Sequence, residues 1–284
     1  MVNVPRSWRK IAKLPRDLGA KFHSFVKVRG VGGINSSQRR PMSTPHQAPW
    51  LAEGEAKREA VRSIFAEIAP KYDLLNGLMS FSLHRWWRES AVRALSLSSG
   101  CRALDICCGT GDFLLPLRRA VGSEGYVEGL DFCAPMLAGA AVKKGHEARL
   151  IEGDACDLPQ ESGDFDAATM GWGLRNVPDS ALALREAHRI LKPGGRLAIL
   201  DMVRPVTPWG SLGAWVFRTF VPLLGKVFRF SKAYTYLPES TGRFFTLPEL
   251  AKAMEAEGFV ITKTKGFMLG NIGLAVGRKT GGAQ

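Results

Sequence analysis

Cysteine is scarce in this sequence and is not spaced for metal binding. The 284 residues contain five cysteines, an odd number, and no two of them form a Cys-x-x-Cys pair. A zinc site would need such a spacing, and a disulfide framework would need an even set. We therefore expect buried free thiols in a reducing compartment, and no metal site.

Long apolar runs are also missing. Residues 1–50 lack the apolar core, roughly 7–15 residues long, of a secretory signal. The most apolar stretch, 203–238, has no uncharged run longer than 13 residues and is interrupted by Pro208, Pro222 and Gly225. A membrane span needs about 20 consecutive apolar residues. The sequence therefore predicts neither a secretory signal nor a transmembrane helix.

Acidic residues are few only at the N-terminus. Residues 1–41 carry ten Lys or Arg and a single acid, Asp17, so they contribute +9 of the net charge of +13. The rest of the chain contributes only +4, which is a weak basis for nucleic-acid binding. We therefore expect no nucleic-acid partner.

The basic N-terminal stretch has three interpretations. It could be an organellar transit peptide, because it is rich in Arg and poor in acids, or a basic arm that touches anionic lipid. It could also be an upstream extension with Met42 as the natural start, which is slightly favoured because 42–50 lead directly into the first predicted helix. We predict that 1–50 form a disordered extension and that 51–280 form one domain.

The central motif of the domain is CRALDICCGTGD, residues 101–112. A short apolar strand runs into the turn Gly109-Thr110-Gly111, and a helical pattern follows. The third glycine of a dinucleotide site is replaced by Leu114, and the Gly-Lys-Ser/Thr of a P-loop is absent. With the acid Asp105 at the strand end, the turn resembles the first motif of class I S-adenosylmethionine (SAM) methyltransferases. The alternative is a tight turn that binds nothing.

Strands and helices alternate along the domain, which predicts an α/β fold with a parallel doubly wound sheet. We expect parallel strands at 103–107, 126–131, 148–151, 165–170 and 196–200, and an antiparallel pair at 260–264 and 272–276. Residues 192–195, Lys-Pro-Gly-Gly, are expected to end the preceding helix and to lie before the fifth strand. We expect helices at 53–69, at 83–95, from about 135, at 179–191 and at 247–257, the last capped by Thr246.

Residues 203–238 differ from the rest of the domain, because they are strongly apolar and carry five Lys or Arg without any acid. This composition is typical of a helical flap that covers an apolar ligand, or of a helix that lies on a membrane surface. An ordinary pair of core helices would have the same pattern. We describe 203–238 as an apolar helical insertion.

Several stretches together resemble the quinone-biosynthesis C-methyltransferases, which methylate the rings of ubiquinone and menaquinone precursors. A first signature of that family is matched at Tyr72, Asp73, Asn76, Met79, Ser80, His84 and Trp87. A second is matched over 191–200, although the serine that normally ends it is lost, since the chain continues Asp201-Met202-Val203. Residues 173–177 and 234–240 are also similar, and the resemblance covers roughly 56–276.

The resemblance implies a Rossmann-like class I methyltransferase, with a mostly parallel seven-stranded sheet, helices on both faces and SAM as cofactor. It implies these cofactor-binding residues: Asp105, Gly109, Thr110, Gly111, Asp131, Asp154, Ala155 and Gly171. The glycine turn would hold the amino-acid end of SAM, Asp131 the ribose, Asp154 and Ala155 the adenine, and Gly171 the methionine side. The spacing of Asp131, 20 residues after Gly111, independently suits a ribose diol. As alternatives, Asp131 could cap a helix, Asp154 could serve a turn and Gly171 could be needed for packing.

The implied reaction needs help with a proton, because a ring carbon of a hydroquinone becomes nucleophilic when a ring hydroxyl is deprotonated. The candidate catalytic residues are Tyr72, His84, Arg175 and Asn176. Arg175 could stabilise the phenolate or hold a water, but it stays protonated and would be a poor base. His84 has an ordinary pKa near neutrality, although it could simply pack beside the neighbouring tryptophans.

The resemblance therefore implies methyl transfer from SAM to a polyprenylated quinol, demethylmenaquinol in the first place, and in addition or instead 2-methoxy-6-polyprenyl-1,4-benzoquinol. Two other functions stay open, namely a methyltransferase acting on RNA or another small acceptor, and a non-catalytic protein that binds quinones or lipids. We expect a cytoplasmic protein that contacts the inner face of the membrane through 203–238. An organellar location is expected instead if 1–41 are a transit peptide.

Overall fold

The fold was analysed in a computed structural model that describes residues 54–215, 219 and 231–281, with the backbone alone for 231–235. The predicted extension 1–50 and most of the second half of the insertion lie outside these residues. The proposed division of the chain at residue 50 therefore stays a prediction.

Helices and strands alternate through the described residues. The helices are α1 (Gly54–Ile68), α2 (Tyr72–Ser80), α3 (Leu83–Leu95), α4 (Leu114–Val121), α5 (Ala134–Ala141), α6 (Ser180–Ile190), α7 (Ser231–Arg243) and α8 (Leu247–Ala256). The strands are β1 (Arg102–Ile106), β2 (Tyr126–Asp131), β3 (Arg149–Glu152), β4 (Phe165–Gly171), β5 (Leu191–Met202), β6 (Phe259–Phe267) and β7 (Ile272–Lys279). Residues 208–215 are also helical.

The seven strands form one sheet in the order β3-β2-β1-β4-β5-β7-β6. Strands β1 to β5 pair in parallel, whereas β7 is antiparallel to both β5 and β6. The strand order reverses between β1 and β4, where the chain first extends the sheet in one direction and then in the other. In open α/β sheets, ligands bind at the carboxyl ends of the strands at such a reversal.

Helices cover both faces of this sheet. Leu104 and Ile106 of β1 belong to a core that includes α6 and α8, whereas Ala103 belongs to a second core that includes α3 and α4. Alternate strand residues point to opposite faces, so each strand contributes to both cores. The predicted Rossmann-like architecture is thus confirmed.

We expected residues 192–195 to precede the fifth strand, but in the structure they lie within it. Strand β5 begins at Leu191, which pairs with Phe165, and the next pair is Ala167 with Arg196. Four residues of β5, 192–195, therefore bulge opposite a single residue of β4, Asp166, because proline lacks a backbone donor and Gly194 has a φ of +82°. The sequence correctly predicted a local break but placed it outside the strand.

The helix-start signal before α8 correctly predicted how that helix is capped. The predicted cap of α8 is present, because the side chain of Thr246 accepts from the backbone N–H of Glu249 and the side chain of Glu249 accepts from that of Thr246. Among the described residues, no helix combines the length and the apolar character that crossing a bilayer would require.

Candidate active site

A narrow cleft lies at the carboxyl ends of β1, β2 and β4, where the strand order reverses. Five of the eight residues predicted to bind the cofactor line it, namely Gly109, Asp131, Asp154, Ala155 and Gly171. They lie at or just after the carboxyl ends of four different strands, β1 to β4, and the parallel sheet brings those ends together. Of the candidate catalytic residues, Tyr72 and Asn176 also line the cleft.

The glycine turn has two positions that suit glycine for different reasons. Gly109 lines the cleft and has a φ of +56°, in the left-handed region that L side chains avoid. Gly111 has a φ of +81°, and a Cβ there would lie 2.9 Å from Leu114 Cδ1 and 3.0 Å from Ala140 Cβ. Gly111 does not line the cleft, so its role in the structure is to let the turn pack against α4 and α5.

Asp131 holds the glycine turn from the end of β2. Its carboxylate accepts a hydrogen bond from the backbone N–H of Gly109 at 2.8 Å and another from Cys133 at 2.9 Å. Burial raises the pKa of Asp131 to about 6, while those two backbone donors partly oppose the shift. The residue therefore both orders the turn and presents a buried carboxylate to the cleft.

Asp154 and Gly171 also combine structural contacts with a place in the cleft. Asp154 accepts a hydrogen bond from the N–H of Cys156 at 2.9 Å, and its second oxygen lies 3.4 Å from Arg58 of α1. A Cβ on Gly171 would lie 2.4 Å from Cε2 of Phe113, so no larger residue fits there without a shift. The turn and packing explanations for these two residues are therefore present alongside their position at the cleft.

Asp105 and Thr110, like Gly111, do not line the cleft. Asp105 is buried and accepts a hydrogen bond from the Thr169 hydroxyl at 2.7 Å, and burial raises its pKa to about 7. The hydroxyl of Thr110 donates to Asp73 of α2 at 2.6 Å. Lys143 lies 2.8 Å from the other oxygen of Asp73. These contacts connect the glycine turn to α2.

A larger cavity of about 530 Å³ lies beside the cleft. Its walls are mostly apolar and come from α1, α2 and α3, from residues 202–215, from α7 and from 268–272. The cavity is lined by Tyr72, His84 and Arg175 among the candidate catalytic residues. Three side chains line both the cavity and the cleft, namely Phe65, Tyr72 and Trp172. The two spaces are therefore neighbours across a wall of three aromatic rings.

Arg175 is held by a fully buried acid. Its guanidinium forms an ion pair with Asp201 and also donates to the carbonyl of Trp172 at 3.3 Å. Burial opposes the charge of Arg175 more than any single interaction favours it, but Asp201, Tyr236 and Tyr72 together raise the pKa of Arg175 above its ordinary value. Arg175 is therefore a fixed cation beside the cavity and not a base.

Asn176 connects the cleft to α7. Its side-chain nitrogen donates to the carbonyl of Trp172 at 2.6 Å, and its oxygen accepts from the hydroxyl of Tyr236 at 2.5 Å. Burial raises the pKa of Tyr236 to about 12 and also raises that of Tyr72, so both phenols keep their protons at neutral pH. The polar groups next to the aromatic wall are thus hydrogen-bonded to one another.

His84 does not have the near-neutral pKa that its residue type suggested. Burial lowers its pKa to about 4, and the positive charge of Arg88 lowers it further in the same direction. The nearest guanidinium nitrogen of Arg88 lies 3.0 Å from Nδ1 of His84, and because arginine can only donate, Nδ1 is the acceptor. His84 is therefore a neutral imidazole that carries its proton on Nε2.

Arg88 and Trp172 were missed by the sequence analysis. The guanidinium of Arg88 lies 4.4 Å from the centre of the Trp172 ring and 3.2 Å from Asp112. Trp172 has a φ of +54°, which is strained for a bulky residue and typical of functional sites. The spacing of His84 and Arg88, one helical turn apart on α3, was a signal that could have paired them. Nothing local to Trp172 indicated its strained backbone.

The reversed strand order, the glycine turn and the buried acid at the end of β2 define a class I SAM-dependent methyltransferase fold. A SAM-dependent methyltransferase from Thermotoga maritima, described as a possible histamine N-methyltransferase, has a TM-score of 0.56 at 24% identity, covering 78% of this chain and all of that one. The [4+2]-cyclase SpnF has a TM-score of 0.58 at 18% identity, covering 78% of this chain and 97% of that one. These two likenesses show the fold alone.

The sequence identifies the family. The model of the ubiE/COQ5 methyltransferase family matches residues 53–279. A demethylmenaquinone methyltransferase from Staphylococcus aureus is 39% identical over 233 residues, which cover 81% of this chain and 97% of that protein. The chain belongs to the ubiE/COQ5 methyltransferase family and is a SAM-dependent methyltransferase, as the signatures at 72–87 and 191–200 predicted.

Proposed function

We propose that this protein transfers the methyl group of SAM, bound in the cleft, to a ring carbon of a polyprenylated quinol bound in the larger cavity. The observation that carries the proposal is the shared aromatic wall of Phe65, Tyr72 and Trp172, which separates the two spaces by the thickness of a side chain. For transfer, the methyl group and the ring carbon must touch, so we infer that these three side chains open a direct path between the two spaces when both substrates are bound. Such positioning supplies much of the rate of a bimolecular reaction.

The residues of the cleft fit the cofactor. Gly109 allows close approach to the amino-acid end, Asp131 can accept from the ribose hydroxyls, Asp154 and Ala155 can meet the adenine amine, and Gly171 leaves room for the methionine side. When bound, SAM supplies an electrophilic methyl group. The volume of the cleft in this structure is only about 50 Å³, far below the ~300–1,000 Å³ that is usual for ligand sites. We infer that Arg58 and Phe65 of α1, which line it, move outward on binding.

The larger cavity suits an aromatic acceptor with an apolar tail. Its volume of about 530 Å³ lies within the ~300–1,000 Å³ that is usual for small-molecule sites. Its walls offer aromatic and aliphatic side chains with few polar groups. The name of the Staphylococcus aureus relative indicates demethylmenaquinone as its acceptor, so demethylmenaquinol is the first candidate here and the polyprenyl benzoquinol is the second.

The polar groups beside the wall can manage the charge of the acceptor. Arg175 is a fixed cation that can stabilise a phenolate or orient a water. His84 can donate from Nε2, since Arg88 occupies Nδ1. Tyr72 and Asn176 complete the set, with Asn176 held by the hydroxyl of Tyr236. We propose that the proton of the ring hydroxyl passes to a water oriented by Arg175, and that the resulting anion is stabilised electrostatically by this cation.

The test is an assay of the purified protein with labelled SAM and two quinols, demethylmenaquinol and a demethylated ubiquinone precursor. Label on the naphthoquinol ring alone would make this a menaquinone enzyme, and label on both rings would make it an enzyme of both pathways. If SAM binds but neither quinol is methylated, the acceptor is another small molecule or an RNA. If SAM does not bind, a non-catalytic quinone- or lipid-binding role replaces the present proposal.

The isoprenoid tail is proposed to lie along 209–230, of which only 209–215 and 219 are described. Trp215 lines the larger cavity and is largely exposed, so it lies near the opening. Replacing Trp215 with Ser should raise the KM of a long-tailed quinol by about tenfold, since one large apolar contact is worth ~1.5–3 kcal/mol. The KM of a short-tailed quinol should change less than twofold. Equal changes for both quinols would place the tail elsewhere.

The membrane is the proposed source of the quinol. We propose that 203–238 make a peripheral contact with the inner membrane face, in keeping with the exposed side chains of Trp209, Leu212 and Trp215. The protein would then work from the cytoplasm, or from within an organelle if 1–41 are a transit peptide.

A further inference from the structure

Large exposed apolar side chains are concentrated around the opening of the larger cavity. The described residues include thirteen such side chains. Five lie between 74 and 86, four lie between 206 and 215, and two are the neighbours Met268 and Leu269. Only Val142 and Val260 lie outside these three segments. Such a concentration marks an interaction surface, whereas single exposed apolar residues are ordinary.

The three segments are joined to one another by direct contacts. The ring of Trp86 lies 5.3 Å from that of Phe267, which immediately precedes Met268 and Leu269. The side chain of Asn271 donates to the carbonyl of Gly210 at 3.2 Å, so the 208–215 helix lies beside the same turn. Met268, Leu269 and Trp215 also line the cavity. The exposed apolar residues therefore surround one opening, and we call this surface the cavity rim.

The charges of the cavity rim have one sign. Residues 74–86, 206–215 and 268–269 contain no acid and one cationic residue, Arg85, which is exposed. Lys265, which is also exposed, lies next to the rim. The ammonium of Lys265 lies 5.0 Å from the centre of the Trp86 ring, which places a cation next to an exposed aromatic residue. Tryptophan together with Lys and Arg is the combination that binds the interfacial region of a bilayer with anionic lipid.

We infer that the cavity rim docks on a bilayer that carries anionic lipid, and that the corner between α2 and α3, with Phe81 at its tip, provides a contact separate from 203–238. The inference rests on the proposed function in one respect, namely that the acceptor has a long apolar tail. With the rim on the membrane, the tail stays in lipid while the ring enters the cavity. A second copy of the chain fits less well, because two rims of the same positive charge would repel each other.

The exposed ends of the rim allow a sharp test. Phe81 is 81% exposed and Trp209 is 71% exposed, and neither lines the cavity or the cleft. The test variant is F81N with W209Q, in which Asn tolerates the left-handed φ of +49° at position 81. The matched control is V142N with V260T, because these two residues are exposed and apolar but lie outside the rim.

The measurement is sedimentation with phosphatidylcholine vesicles, with and without phosphatidylglycerol. We expect the full chain to bind better when phosphatidylglycerol is present, and the F81N/W209Q variant to bind at least about tenfold more weakly. The V142N/V260T control should bind as the unmodified chain does. Unchanged binding of F81N/W209Q, or an equal loss in the control, would overturn the inference. If the substitutions change the sedimentation of the protein without vesicles but not its binding to vesicles, the inference is also overturned. The rim would then be a contact between copies of the chain.

Methylation of a short-tailed quinol, measured without vesicles, separates this inference from the proposed function. The single variant F81N, also tested with vesicles, should keep the unmodified rate, because Phe81 lies outside both binding spaces and outside the stretch proposed for the tail. A loss of that rate would show that the substitution disturbs the site, and would overturn the inference. If the unmodified chain methylates no quinol, the proposed function fails, and the vesicle experiment still decides whether the rim binds lipid.

Discussion

Replacing Arg175 with Met is expected to lower the free energy of unfolding by about 3–5 kcal/mol, because it leaves a buried carboxylate without its cation. Asp201 is 0% exposed and forms its ion pair with Arg175. Its other interactions are with the backbone N–H groups of Met202, at 2.8 Å, and of Arg175, at 3.4 Å. Two backbone dipoles do not replace a full positive charge, so chemical denaturation should show the loss directly.

The matched control is the double variant R175M/D201L, which removes both charges. Replacing a buried ion pair by apolar residues of similar volume is often neutral or stabilising, so this variant should regain most of the stability. Its kcat should nevertheless stay about 10²–10³ times lower than that of the unmodified chain, which is the usual cost of removing a stabilising donor from an active site. Full activity in the double variant would show that Arg175 serves the fold alone.

The pH dependence of R175M gives a further check of the cause. Burial already raises the pKa of Asp201, and Arg175 opposes that shift. Without the guanidinium, the folded-state pKa rises further above the unfolded value, so the folded protein binds the extra proton. The stability of R175M should therefore increase as the pH falls through this raised pKa, and decrease as the pH rises. A stability difference that does not depend on pH would contradict the buried-charge explanation.

The parts of the fold with strong local signals could be predicted from sequence. Strand β2, predicted at 126–131, and helix α3, predicted at 83–95, have the predicted bounds. A short segment with aromatic and β-branched residues indicates a strand, and apolar residues one turn apart define a helix face. Helix α2 was not assigned, because its sequence, YDLLNGLMS, is short and contains Gly77. It is stabilised by tertiary contacts such as that of Asp73 with Thr110.

The site was predictable where a residue's position in the sheet decides its place. Asp131, Asp154 and Gly171 follow parallel strands, so all three necessarily reach the same edge. Side-chain direction was not predictable, and Asp105, at the end of β1, bonds to Thr169 of the neighbouring strand. The pKa of His84 depends on Arg88 and on burial, neither of which is visible in a motif. Sequence thus indicated which segments line the cleft, but not which polar atoms face it.

Replacing Asp131 with Asn is expected to weaken SAM binding by about 10- to 150-fold, which corresponds to ~1.5–3 kcal/mol for hydrogen bonds to a charged group. The carboxylate accepts from two backbone donors, Gly109 and Cys133. An amide has only one oxygen, so its nitrogen would face one of these N–H groups, donor against donor. The variant therefore loses the carboxylate that we propose as the ribose acceptor, and it also disturbs the glycine turn. Calorimetric titration with SAM measures the effect.

The D154N variant is the matched comparison, because the Asp154 carboxylate accepts only one backbone bond in the described structure, from Cys156, which an amide oxygen can keep. Its affinity for SAM should fall by less than about tenfold, since a single neutral hydrogen bond is worth ~0.5–1.5 kcal/mol. The pH dependence separates the two acids further. With the pKa of Asp131 at about 6, protonation at lower pH removes the carboxylate that we propose as the ribose acceptor, so affinity should fall by up to about tenfold per pH unit. D131N should lack this dependence and D154N should keep it, because the dependence comes from the carboxyl of Asp131.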